Sequence, residues 1–327
     1  MLTSSNKFIN VDFINVAPYK GLGFLFDFIT QFENACSWIE NEFKLKIDGR
    51  IRDYKKVLNS YERKVRGRFC DDLYFFIHTV SEVNKIIKIH NYLKDQNSKN
   101  FKSTLYKSIY GNTYFFDTEN TYKNDASRNF VFELSTASFY EKIGYKVDLS
   151  NNTDILIHKD KIAIECKKIH SKDQVLTRVT EALKQINNFK KEKPEYNGVI
   201  HIDITNCFEI KFQKLISDKS QNLHKILLDV PNKEDMIGII ENHLKNQRKS
   251  FIDEITPKIR KTIEGHNVLL IIHHDNNSFD ISLMNERVII YECGYLIYNN
   301  EMIEASKNLE KLKNDMLSSY KIDTTDH

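Results

Sequence analysis

Short apolar runs and polar breaks alternate most tellingly between residues 153 and 168. Asp154 opens Ile155-Leu156-Ile157, the polar His158-Lys159-Asp160-Lys161 interrupts, and Ile162-Ala163-Ile164 resumes before Glu165-Cys166-Lys167. The pattern predicts two strands joined by a tight turn. With Lys159 and Asp160 as the turn, His158 pairs with Lys161, and counting outward through an antiparallel ladder sets Asp154 opposite Glu165. Period-two alternation puts Ile162, Ile164 and Cys166 on one face of the second strand and Ala163, Glu165 and Lys167 on the other.

Upstream, residues 20–100 carry a helical period, with Leu73, Phe76, Ile77, Val80, Val83, Ile86 and Ile87 at three- and four-residue spacing. The stretch 97–124 is richer in Asn, Ser, Thr and Tyr and contains Gly111-Asn112, a turn signal, so a domain boundary is placed there. A helix is predicted from Asp125, an N-cap, through Phe130, Leu134 and Phe139 to Gly144, which suits a left-handed C-terminal position. After the hairpin, Ser171 or Asp173 caps a helix running to about Lys191, with Pro194 beyond it. Asn197–Thr205 reads as a buried strand, helices are expected over 210–264, and strands recur at Asn267–His273, Phe279–Leu283 and Arg287–Tyr298. A lysine-rich helix over about 301–320 closes the chain. The expected organisation is a mainly helical region over 1–124, a mixed α/β domain over 125–300, and a terminal helix and tail over 301–327.

Composition narrows the function classes. With 327 residues and 41% hydrophobic content the chain can bury a sizeable core. Five scattered cysteines form no C-x-x-C pair, which argues against a disulfide framework and a cysteine zinc site. Neither a secretory leader nor a bilayer-spanning apolar run is read, so a cytoplasmic protein without membrane attachment is expected. The net charge of +3 decides little, but its distribution is uneven. Lys44, Lys46, Arg50, Arg52, Lys55, Lys56, Arg63, Lys64, Arg66 and Arg68 stand against only Asp48, Asp53 and Glu62, an excess suited to gripping phosphates or to a solvated helix face. No G-x-x-x-x-G-K-[ST] loop is present, which disfavours an ATP-driven motor.

The hairpin carries the chemistry. Two carboxylates facing each other across a ladder destabilise it unless a cation lies between them, and a hard divalent ion with oxygen ligands, Mg²⁺ or alternatively Mn²⁺, fits the position. Lys167 shares the face of Glu165, where it can orient an attacking water and offset charge developing on a phosphoryl group. The tripeptide E-x-K alone carries no weight: Glu42-Phe43-Lys44, Glu62-Arg63-Lys64 and Glu209-Ile210-Lys211 satisfy it too, without an apolar strand and an upstream acid in register.

Helix, strand, D…ExK hairpin, helix and strand in this order over residues 125–206 resemble the PD-(D/E)XK nuclease superfamily. The resemblance implies a restriction-endonuclease-like mixed sheet flanked by helices. It also implies a metal-dependent deoxyribonuclease, with an endonuclease in defence against foreign DNA or in restriction as the expected role. Asp154, Glu165 and Lys167 match the family's aspartate, glutamate and lysine, and Glu133 on the preceding helix matches its upstream acid. Asp154, Glu165 and Glu133 are thus the expected metal ligands. Gln185, or alternatively Gln174, matches a polar position on the following helix. Thr153 stands where the nominal motif has proline. Arg178, Lys168 and Lys172 are the basic residues expected to hold the DNA backbone with Gln185.

Other features remain structural. Adjacent residues on a strand point to opposite faces, so His273-His274-Asp275 reads as a strand end entering the turn Asp275-Asn276-Asn277-Ser278. His158 and His170 flank the hairpin, and Cys166 alternates away from the site as a packed small hydrophobe. The alternative to an enzyme is a nuclease-like fold used for nucleic-acid binding or as an effector gated by a sensor protein. Cutting both strands of a duplex would call for a homodimer.

Overall fold

Near-continuous apolar runs mark strands covered on both sides, and that is where the middle of the chain goes. The computed structural model describes residues 9–11, 22–64, 71–111, 126–149, 153–205, 207, 250–282, 285–297 and 306–322. In chain order these form β1 (Ile9–Val11), α1 (Leu22–Phe43), α2 (Gly49–Lys64), α3 (Asp71–Leu93), α4 (Lys99–Ile109), α5 (Ala126–Lys142), β2 (Ile155–Ile157) and β3 (Ile162–Lys168). After a short 3-10 turn follow α6 (Val175–Glu192), β4 (Asn197–Asp203), α7 (250–263), β5 (Val268–Ser282), β6 (Asn285–Ile297) and α8 (Lys307–Ile322).

The protein is a mixed α/β structure. Among the described residues six strands lie in the order β1-β6-β5-β4-β3-β2, parallel across β3/β4 and β4/β5 and antiparallel elsewhere. One face, through Ile155, Ile162, Ile164, Cys166, Val199 and Ile271, joins a core with α1 to α5 and with Leu309, Leu312 and Met316 of α8. The other, through Leu156, Ala163, Ile200, Ile202, Leu270 and Ile272, packs on α6 and α7. Each fully buried Ile or Leu contributes ~1.5–3 kcal/mol. An exposed ion pair contributes ~0–1 kcal/mol, so these two layers, and not the surface charges, hold the sheet. The helices of the N-terminal segment share one core with α5 and the sheet.

Local signals explain the elements next to the hairpin. Helix α5 ends in a Schellman motif: the Tyr145 amide donates to Tyr140 O at 2.9 Å and the Gly144 amide to Glu141 O at 3.1 Å. Gly144 takes φ of +90°, a conformation only glycine adopts cheaply, and the Tyr140 and Tyr145 rings close the motif edge to face. The expected N-cap, Asp125, lies outside the described residues, as do the side chains of Leu73, Phe76 and Ile77 and, of the helices expected over 210–264, the part before residue 250.

The mainly helical region continues into the polar stretch after Asn97 with α4, whose N-cap Ser98 accepts the Phe101 amide at 3.1 Å and whose Phe101, Leu105 and Ile109 are buried every fourth residue. One expectation is corrected. The turn expected at Asp275–Ser278 is instead the middle of β5, paired through Asp275↔Glu292 to Ser278↔Ile289 with β6. A long partner strand outweighs the local turn preference of Asp and Asn, because each ladder position satisfies backbone groups that a turn would leave to water.

Candidate active site

The hairpin forms in the expected register: Ile157 pairs with Ile162, Leu156 with Ala163 and Ile155 with Ile164, which sets Asp154 against Glu165 one step further out. The turn closes through the Lys161 amide and His158 O at 3.4 Å, with Lys161 at φ of +52°. The polar cluster beside it is structural, since His158 contacts Asp148 Oδ2 at 2.6 Å and the Tyr196 hydroxyl at 2.8 Å.

Because β2 is only three residues long, β3 runs past its end, and Asp154 takes over the pairing. Its Oδ2 accepts the Cys166 amide at 2.7 Å. The carboxylate is thereby fixed by backbone, beside Glu165 and Lys167. Lys167 Nζ lies 2.9 Å from Glu165 Oε2 and 3.8 Å from Asp154 Oδ2, so one ammonium bridges the two acids. Glu165 is fully buried, and its Oε1 has no hydrogen-bond partner.

The electrostatics follow from this crowding. Burial pushes the Glu165 carboxyl up to about 7, repulsion from Asp154 adds to it, and Lys167 opposes it. Burial and then Asp154 push half-buried Glu133, on α5, up to about 8. Burial works against the charge on Lys167, but Asp154 and Glu165 outweigh it and hold the ammonium above the ordinary lysine range. The structure therefore brings Asp154, Glu165, Lys167 and Glu133 into one electrostatic unit.

Among the described residues no three His, Cys, Asp or Glu side chains form a ready-made metal cage. Mg²⁺ does not need one: it is ordinarily held by one or two carboxylates with water and substrate phosphate completing the shell. The unpaired Glu165 Oε1 and the Asp154 carboxylate are oxygen donors of that kind. The residues present fit such an ion.

The expected DNA-contacting residues are distributed differently. Lys168 is buried, and its ammonium lies 2.5 Å from Asp203 Oδ2, so it is engaged inside the protein and not offered to a phosphate. Lys172 is exposed and paired with Glu254, and Arg178 pairs with Glu181 at 2.8 Å. Gln185 is exposed on α6, whose Ala182, Leu183 and Ile186 take the inward positions. The polar side chain that enters covered space at the start of α6 is Gln174, whose buried Oε1 lacks a hydrogen-bond partner. In the basic segment, Arg50 is fully buried and donates to Ser108 O at 2.5 Å. Arg52, Lys55 and Lys56 pair with Asp48, Glu33 and Asp53 at 2.7, 3.0 and 2.9 Å, so much of the described excess is neutralised locally. The side chains of Arg63, Lys64, Arg66 and Arg68 lie outside the described residues.

Sequence reading missed a buried polar layer between the sheet and α5. The Tyr140 hydroxyl and His201 Nε2 are 2.6 Å apart, and His201 Nδ1 and His273 Nε2 are also 2.6 Å apart, with the two imidazoles stacked. Burial holds His201 well below its usual range, hence neutral. Further out, one carboxylate, Glu82 of α3, lies 3.6 Å from Arg50 and 3.5 Å from Arg128 and Lys85. His201 and Asp203 alternate along a predicted buried strand, and that spacing was the only sequence signal for this layer.

No described helix is long and apolar enough to cross a membrane. Comparison of the chain with known protein families, curated proteins and solved structures gave no match.

Proposed function

We propose that the protein is a metal-dependent deoxyribonuclease with a restriction-endonuclease-like core, hydrolysing phosphodiester bonds of DNA. The observation that carries this reading is the bridge of Lys167 between Asp154 and Glu165 at the end of a short hairpin, with a buried Glu165 oxygen left unpaired. The order α5, β2, β3, α6, β4 supports the fold assignment, because it is the order expected of the PD-(D/E)XK nucleases.

Asp154 and Glu165 would hold Mg²⁺ or Mn²⁺, with Glu133 acting on the pair through its charge. The ion, when bound, supplies Lewis-acid polarisation of the phosphoryl group and lowers the pKa of a coordinated water. Lys167 carries the protein's own part of the chemistry. Its ammonium orients the water that adds to phosphorus and offsets negative charge as the ester oxygen leaves. The sheet supplies rigidity: Glu165 sits between Ile164 and Cys166, both buried, on a strand hydrogen-bonded to β4. A cytoplasmic role against foreign DNA, as an endonuclease, is the setting that the resemblance favours.

Purified protein incubated with supercoiled plasmid and linear DNA, with Mg²⁺, Mn²⁺ or EDTA, tests the reading. Metal-dependent nicking or linearisation that is lost in Lys167→Ala, with the variant still folded by circular dichroism at the assay temperature, is expected. Cleavage that persists in EDTA, or equal cleavage by Lys167→Ala, would sink the assignment. Metal-independent DNA binding with no product under any condition would transfer the fold to a binding role.

A further inference from the structure

Helix α4 turns Phe101, Leu105 and Ile109 inward and leaves Lys99, Lys102, Tyr106 and Lys107 exposed. Half-buried Tyr110 continues the stripe. These positions recur at three- and four-residue spacing, so lysine and tyrosine interleave along one outer face. Residues 99–109 include three lysines and no acid. Tyr106 is 52% exposed, the most exposed of the large apolar or aromatic side chains described. Its ring lies 4.9 Å from that of Tyr110, and the Tyr110 hydroxyl is anchored on Lys46 O at 3.1 Å. The pair is thus a partly fixed aromatic surface in a cationic field.

This face adjoins the candidate active site. Lys107 Nζ sits 4.9 Å above the ring of Phe130 on α5, and Glu133 lies three residues further along the same helix, on the same side. Lys107 is close enough for its charge to act on the Glu133 carboxyl.

We propose that the outer face of α4 is a docking surface for single-stranded DNA, with bases stacking on Tyr106 and Tyr110 and phosphates held by Lys102 and Lys107. The inference rests on the nuclease reading and narrows its substrate to DNA with unpaired bases next to the scissile bond. Duplex DNA presents phosphates but keeps its base faces stacked, so it can use the lysines and not the tyrosines. A base freed from its stack uses both, and stacking on aromatic side chains is insensitive to sequence. The charge complementarity with a polyanion, and the aromatic faces between the charges, favour this occupant over a peptide.

The test is equilibrium binding of fluorescein-labelled oligothymidylate, the corresponding oligouridylate and a duplex of equal length to the full chain in EDTA. Oligothymidylate is expected to bind most tightly. Tyr106→Ala should weaken it by about 10-fold or more, while Tyr106→Phe, which keeps the ring, should not. Lys102→Ala should reduce the slope of log affinity against log salt by about 0.7. Equal affinity for duplex, preference for the RNA strand, or no difference between Tyr106→Ala and the parent protein would overturn the proposal. Because binding is read in EDTA, the two readings fail separately. Cleavage with an indifferent Tyr106 defeats the docking surface alone, and Tyr106-dependent binding without cleavage in metal defeats the hydrolysis alone.

Discussion

Asp154 accepts the Cys166 amide, so the aspartate at the mouth of one strand is held by the backbone of the strand that carries Glu165 and Lys167. This contact fixes two functions in one side chain: an edge cap for β3 and a charge beside Glu165. Asn keeps an oxygen acceptor and removes the charge. Asp154→Asn is therefore expected to melt close to the parent protein while losing cleavage on the order of 10²-fold, the scale of one lost metal-ligand charge. Asp154→Ala should in addition lose about 1 kcal/mol of stability, because a buried amide is left uncapped. Thermal melting and plasmid nicking measured on both variants separate the two effects. Equal destabilisation by Asn and Ala would show that the charge, not the cap, holds the hairpin.

The raised carboxyls of Glu165 and Glu133 set a pH dependence of stability. Both lie above the ordinary glutamate value of 4.5, at about 7 and about 8, chiefly through burial and then through Asp154. Between the ordinary value and these, the folded protein keeps protons that the unfolded chain has released. The folded state then binds more protons, so this contribution to stability falls as pH rises through the window. A divalent ion competes with those protons. Mg²⁺ is expected to raise the melting temperature clearly at pH 8 and little at pH 5, and EDTA should remove the gain. A shift of equal size at both pH values would show that the ion binds somewhere other than these carboxylates.

How far the sequence reaches is clear at the hairpin. The apolar runs on either side of Lys159-Asp160 determine the ladder, and the ladder determines which acid faces Glu165, so the register was readable without a structure. Helix α5 was similarly marked by Gly144, whose positive φ is a local requirement. Burial of charge was not readable. Arg50 and Lys168 look like any other basic residues in a lysine-rich chain, and only the tertiary placement of Ser108 and Asp203 turns them inward. Strand β5 misled for a related reason: Asp275-Asn276-Asn277 carries turn chemistry, and the competing term, a thirteen-pair ladder with β6, is non-local.

The two glutamines of the β3–α6 region separate by the same logic. Gln185 stands at the polar helix position that the resemblance suggested, but α6 turns it to solvent, about 15 Å along the axis from Val175 at its 1.5 Å rise per residue. Gln174 stands where β3 hands over to α6, with a buried oxygen lacking a partner. A buried, unsatisfied acceptor costs roughly 1–3 kcal/mol, a cost that a bound substrate donor or water would offset. Gln174→Ala is expected to lower cleavage several-fold without lowering stability, and Gln185→Ala to change neither. Steady-state nicking rates of the two variants check this. A defect confined to Gln185→Ala would return the role to the middle of the helix.

Lys168, which sequence alone places in the DNA contact, lies in a buried pair with Asp203. The Asp203 carboxyl is held far below its usual range. Burial opposes the charge, but Lys168 and Lys85 outweigh it, and the Thr205 amide donates to its Oδ1 at 2.8 Å. Removing one partner of such a pair strands the other charge and costs ~3–5 kcal/mol, whereas removing both charges costs less. Lys168→Met should therefore shift the urea midpoint sharply downward, and Lys168→Met with Asp203→Asn should recover part of the loss. A phosphate contact makes the opposite demand: stability near that of the parent protein, and a salt slope of duplex binding reduced by about 0.9. Measuring both quantities on the single variant decides between the two roles, since a buried lysine moves the first and leaves the second unchanged.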